Sequence, residues 1–168
     1  MLFMIMCLKF SFRFANDVDA KRFENIFLSE LPTLNPTSNP TKSNLFSGEW
    51  ECVWTNEKEL NLAVRSGLPG SPWKRTYQQI NIPERRLDNF IEFENAMLTV
   101  RSSIEPDTEN FSKFNFRFSG ASITWRKWNI PFPPVGKGWG ELLYLDEDIR
   151  LQRDIRGDLL LARRVKNT

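Results

Sequence analysis

From residue 47 onward, apolar and polar positions alternate with a period of two, the spacing of strands that bury one face. Trp50, Cys52 and Trp54 alternate with Glu49, Glu51 and Val53, which makes residues 47–55 the first predicted strand and gives it an aromatic face. The same pattern predicts strands over residues 76–82, 86–93, 97–104, 113–118, 122–128, 141–145, 149–153 and 159–164. In the fifth of these Phe114, Phe116 and Phe118 share a face, and in the sixth Ile123 and Trp125 are in phase. The turns between them include Asp146-Glu147-Asp148 and Ile155-Arg156-Gly157-Asp158. Eight or nine short strands with few helices predict an all-β, antiparallel barrel rather than a parallel sheet.

Before residue 47 the period changes. Ala20, Phe23, Phe27 and Leu31 recur at three- and four-residue spacing, predicting a helix capped by Asn16 or Asp17 and stopped by Pro32. Its apolar stripe packs on the domain or docks on a partner or membrane. Residues 34–40, rich in proline and asparagine, predict a rigid linker that ties this helix to the outside of the β unit. Residues 56–65 predict a short helical turn, and residues 66–72 a mobile loop suited to a barrel mouth. The expected layout is an extension over residues 1–15, a helix and linker over 16–44, and a barrel over 45–166 forming one domain with the helix.

Residues 1–14 are apolar but interrupted by Lys9 and Arg13, and too short to span a bilayer. They read as a targeting remnant, the product of a truncated gene model or an extra edge strand, and the three alternatives stay open.

Composition removes most catalytic chemistry. The 168 residues contain no histidine, which excludes Ser-His-Asp and Cys-His nucleophilic sites and histidine-ligated zinc. Two cysteines, Cys7 and Cys52, are too few for a thiolate metal site, and both are expected to be reduced, Cys52 as a small core hydrophobe. Basic and acidic residues number 23 and 21 and are interspersed, a balance unlike that of a nucleic-acid binder. The 14 Phe and 6 Trp exceed what a minimal core requires; they line a pocket or fill a β core.

Gly48-x-Trp50 at the head of a first strand resembles the start of calycin barrels, the lipocalins among them. There the glycine turns the chain into the sheet and the tryptophan plugs the closed end. Three further stretches resemble the PAP/fibrillin family of plastid lipid-associated proteins: Asn35-Pro36-Thr37-x-Asn39-Pro40, Leu45-x-Ser47-Gly48-x-Trp50, and Tyr144 to Leu151 with Arg156-Gly157-Asp158-Leu159. Trp54-Thr55-x-Glu57-Lys58-Glu59, Val100-Arg101-Ser102, Phe114-Asn115-Phe116-Arg117-Phe118 and the proline- and glycine-rich run from Pro131 to Trp139 resemble one chloroplast subgroup of it.

The resemblance implies a lipocalin-like barrel in plastids, at thylakoids or plastoglobules, that binds or carries a prenylquinone, carotenoid or fatty acid. It implies no enzyme, and no cofactor is expected; the charge balance already argues against a nucleic-acid partner. The alternative the resemblance carries is a non-catalytic coat or scaffold for a lipid body or for an enzyme of prenylquinone synthesis. A transit peptide, Ser-rich and acid-poor, is not visible in residues 1–14.

Strand phase and position beside the expected mouth select Trp54, Tyr77, Phe116, Phe118, Trp125 and Trp139 as the ligand wall, with a place in a packed core as the alternative for each. Tyr77 and Trp125 would orient a ligand carbonyl. Trp50 is expected to cap the closed end beneath Arg163 or Arg164. Asp146 to Asp148 read as a solvated turn rather than a metal site, Arg156-Gly157-Asp158 as a glycine turn, and Pro131 to Pro134 as a stiff loop at the mouth.

Overall fold

A computed structural model describes residue 25, residues 28–133 and residues 136–166. The expected N-terminal helix lies almost wholly outside the described residues, as do Cys7 and residues 1–15. Only its last turn is described, where Leu28 and Ser29 are helical and Ser29 Oγ donates to the Asn25 carbonyl at 2.5 Å.

Nine strands follow: β1 (Gly48–Thr55), β2 (Trp73–Asn81), β3 (Arg86–Phe93), β4 (Ala96–Pro106), β5 (Lys113–Trp125), β6 (Trp128–Phe132), β7 (Lys137–Leu145), β8 (Ile149–Asp154) and β9 (Leu159–Arg164). Every pairing is antiparallel. Eight strands close a barrel in the order β1-β2-β3-β4-β5-β7-β8-β9, sealed where β9 returns to β1. The short helix α1 (Lys58–Ser66) connects β1 to β2.

The fifth and sixth predicted strands prove to be one continuous 13-residue strand, β5. Its first half pairs with β7 and its second half with β6, so β6 stands outside the closed barrel as an extra strand. Pro131 and Phe132, expected in a loop, belong to this edge strand, where a residue without an N–H is tolerated.

One end of the barrel is solid. Gly48 enters β1 with φ +139°, and a Cβ there would lie 2.3 Å from Arg164 Nη1. The glycine therefore admits the arginine, whose guanidinium lies 4.2 Å above the Trp50 ring. Arg164 Nε donates to the Glu147 carbonyl at 2.7 Å, Nη1 to the Ser47 carbonyl at 3.0 Å, and Nη2 to the Leu45 carbonyl. Trp50, fully buried, donates its indole N–H to the Phe46 carbonyl at 3.0 Å. Of the two candidate arginines, Arg164 caps the tryptophan; Arg163 faces outward and pairs with Glu51 at 2.5 Å.

The proline-rich segment is stapled to this end. Asn35 Oδ1 accepts from the Leu145 N–H at 3.1 Å, Thr37 Oγ1 donates to the Leu145 carbonyl at 2.5 Å, and Thr41 donates through both N–H and Oγ1 to the Phe111 carbonyl. Three 3-10 turns, Leu31–Leu34, Pro40–Lys42 and Asn44–Phe46, carry the chain from the outer face to the Phe46 plug.

Strict alternation fails once in β1, with consequences. Cys52 faces Ala162, but Trp54 faces Leu161, leaving Val53 as an extra residue in a β-bulge. The bulge reverses the phase. Trp54 therefore leaves the face of Trp50 and Cys52 and packs outside the barrel with Leu31, Tyr144, Leu151 and Leu161.

Trp50→Ala is expected to cost about 3–5 kcal/mol in denaturant unfolding. Arg164→Met should cost about 1–3 kcal/mol, because it orphans carbonyls at the closed end. Arg163→Met, which removes an exposed ion pair, should stay within about 1 kcal/mol. Equal losses for the two arginine variants would contradict this assignment of the cap.

Candidate ligand cavity

Above the Trp50 layer the barrel interior is not filled. A cavity of about 550 Å³ opens at the end formed by the C-termini of β1, β3, β5 and β8 and the N-termini of β2, β4, β7 and β9. Its size is that of a pocket for one small ligand, about 300–1,000 Å³.

What keeps it open is a match between two stripes. Phe114, Phe116 and Phe118 point inward from β5, and β7 presents Gly140 and Gly138 opposite the first two, with Gly136 beside the third. A Cβ on Gly140 would lie 2.3 Å from the Phe114 ring, one on Gly138 would lie 2.8 Å from the Phe116 ring, and one on Gly136 would lie 3.2 Å from the Phe118 ring. The rings thus lie over the β7 backbone instead of crossing the lumen. Ile91, Leu98 and Val100 complete the upper wall.

Deeper in the wall, buried polar groups stand among the apolar Leu87, Phe114 and Leu160. Gln78 Nε2 donates to Asn89 Oδ1 at 2.6 Å, and both residues line the cavity. Beneath them Arg150 is fully buried; its Nη2 donates to Gln78 Oε1, while Nε and Nη1 have no partner among the described residues. Burial, with a further push from Arg164, lowers its guanidinium to about 9. A cation so placed projects a positive potential into the cavity base. Cys52 lines the same base as a free thiol, and burial pushes it up to about 12.

The rim carries the acids. Arg156 draws together Glu57 at 3.3 Å, Asp154 at 3.3 Å and Asp158 at 3.1 Å, joining the β8–β9 turn to the chain that enters α1. Leu60 of α1 reaches into the opening.

Of the six wall candidates, the structure brings Phe116 and Phe118 together in the cavity, with ring centroids 5.5 Å apart. Trp125 shares their sheet face but stands beyond the rim, where it pairs with Ala96 and Trp128. Trp54 is outside through the bulge. Tyr77 alternates with the inward Thr76 and Gln78, so it stacks on Phe90 at 4.7 Å on the outer face, under Arg75 at 4.2 Å. Trp139 alternates with Gly138 and Gly140 and lies outside beneath Lys113, 4.8 Å from its ring. The indole and phenol groups expected to orient a ligand are thus not on the cavity wall, and the amides Gln78 and Asn89, unanticipated from the sequence, are. Leu98 and Val100 carried a period-two signal, and the period-two glycines of β7 mirrored the phenylalanines of β5.

The PAP_fibrillin family model matches residues 14–162, nearly the whole chain. The chain belongs to the PAP/fibrillin family. A curated relative in Arabidopsis thaliana, "Probable plastid-lipid-associated protein 11, chloroplastic", is 38% identical over 146 residues, covering 86% of this chain and 68% of the relative. No solved structure matches the chain. The family is one of plastid lipid-associated proteins, and the barrel with its open apolar cavity is the form it takes here.

Two outcomes check the cavity architecture. Gly140→Ala, which drives a methyl into the buried Phe114 ring, should cost about 1–3 kcal/mol, while Gly120→Ala, with open space around it, should change stability by about 0.5 kcal/mol or less. Equal effects would dismiss the matched stripes. The raised Cys52 value means that stability from burying the neutral thiol is intact below pH 9.0, the thiol's ordinary value, and is lost as pH rises towards about 12. At pH 9.0 the Cys52 peptide of native protein should therefore escape alkylation by iodoacetamide and react only after unfolding; rapid labelling of the native protein would refute this placement.

Proposed function

We propose that this fibrillin-family barrel binds or carries one small hydrophobic molecule, a prenylquinone, carotenoid or fatty acid, at thylakoids or plastoglobules in the plastid. The observation that carries this reading is a cavity sealed at the Trp50 end, open at the other, and walled in its upper half by Phe116, Phe118, Ile91, Leu98 and Val100. The name of the Arabidopsis relative supports the compartment and the lipid association.

An apolar tail entering the cavity gains about 0.8 kcal/mol per CH2 removed from water, so a tail of several carbons offsets the cost of ordering one ligand. The ligand's polar end points down, towards Gln78 and Asn89 and the field of Arg150, and its tail lies along the phenylalanines. The role is non-catalytic. The acids that line the cavity are engaged on Arg156 at the rim, and the base holds a thiol kept protonated.

A second reading, a coat or scaffold for a lipid body or for an enzyme of prenylquinone metabolism, is favoured by the exposed Trp128 and Ile130 on β6.

Titration with a prenylquinone, a carotenoid and a fatty acid, followed by tryptophan quenching, tests the carrier reading. Wild type should take up at least one of them at about one per chain, and Val100→Trp, which fills the lumen, should weaken uptake at least about tenfold. Arg150→Met should weaken a fatty acid much more than a neutral quinone. No uptake of any of the three by folded wild type would favour the scaffold.

A further inference from the structure

We propose that the β5–β6 hairpin is the element that docks this barrel on an anionic lipid surface. The inner face of the barrel does not stop at the rim. Its apolar rows continue from β4 through β5 to β6: Val100 beside Ala121 and Phe132, Leu98 beside Ile123 and Ile130, Ala96 beside Trp125 and Trp128. Leu98 and Val100 line the cavity, whereas Trp128, Ile130 and Phe132 are 74%, 50% and 41% exposed. An alternating strand that shows its apolar face to water, directly continuous with a ligand wall, is a surface awaiting a partner. Arg126 N–H, bound to the Asn95 carbonyl at 3.0 Å, anchors the hairpin tip to the β3–β4 turn at the rim.

Charge selects the partner. Residues 110–140 contain Lys113, Arg117, Arg126, Lys127 and Lys137 and no acid at all. Arg126 and Lys127 form the hairpin tip, and neither they nor Arg117 and Lys137 make an ion pair among the described residues. Exposed Trp, Ile and Phe bounded by unpaired basic residues match the interface of a bilayer or monolayer with anionic headgroups. Pro131, lacking an N–H, weakens the β6 edge for pairing with a second copy of this chain. One consequence, that a ligand passes between lipid and cavity along the Leu98, Ile123 and Ile130 row, rests on the carrier reading; the docking itself does not.

The test is co-sedimentation of the full chain with phosphatidylcholine vesicles, with and without phosphatidylglycerol, alongside uptake of a prenylquinone in solution. Wild type should bind the anionic vesicles at least about tenfold more strongly than the neutral ones. Arg126→Glu/Lys127→Glu should abolish that preference, and Trp128→Ser/Phe132→Ser should weaken binding to both at least about tenfold. Both variants should keep the wild-type uptake, because these residues lie outside the cavity. Failure of wild type to bind, or equal binding by wild type and both variants, would overturn the proposal. So would concentration-dependent self-association that Trp128→Ser/Phe132→Ser abolishes, which would assign the face to a second copy. Vesicle binding without prenylquinone, carotenoid or fatty acid uptake would instead leave the docking intact and remove the carrier reading.

Discussion

The closure of β9 onto β1 over Trp50 is the constraint from which the remaining architecture follows. Arg164 lies on the indole and ties three carbonyls from the entering chain and the β7–β8 turn to the last strand. Because the arginine needs the space beside Gly48, the first strand must begin with a residue lacking Cβ. Because the indole fills the lumen at this end, the core below is dense and the interior above it is free to stay empty.

The upper barrel is hollow for a different reason. Phenylalanine rings projecting into an eight-stranded lumen would ordinarily meet one another across it. Here Phe114, Phe116 and Phe118 are received by the glycines of the neighbouring strand, so a stripe of large side chains costs little interior volume. The cavity wall is consequently aromatic and aliphatic, interrupted by the amides of Gln78 and Asn89. Arg150 adds to that polarity. An arginine buried with two nitrogens lacking a hydrogen bond is costly to the fold, a cost offset in part by the Trp50 and Phe46 rings, 5.2 and 5.9 Å from its guanidinium.

Much of this was legible in the sequence, and what was not has local causes. The barrel, the eight strands that close it with β5 read as two, the plug at Trp50 and the turns at residues 146–148 and 155–158 follow from period-two patterns and turn residues; β6 was not legible, because Pro131 marked its residues as a loop. The cavity lining was legible at Phe116 and Phe118. It failed at Trp54 because a bulge at Val53 inserts one residue, and a shift of one residue transfers a side chain to the opposite face. It failed at Tyr77 and Trp139 because each alternates with the inward positions, Thr76 and Gln78 in one case and Gly138 and Gly140 in the other. Trp125 is in phase with Ile123 and joins the face of the phenylalanines only through a second bulge at Ser119, and it lies beyond the rim because β5 runs past it.

The central claim is that the space above Trp50 holds a hydrophobic molecule. Native mass spectrometry of the purified chain, with organic extraction of whatever travels with it, addresses that claim directly, with Phe116→Ala as the comparison. The account predicts an isoprenoid or acyl compound at about one per wild-type barrel, diminished in the variant. A folded, ligand-free wild type that also fails to take up added prenylquinone, carotenoid and fatty acid would contradict it.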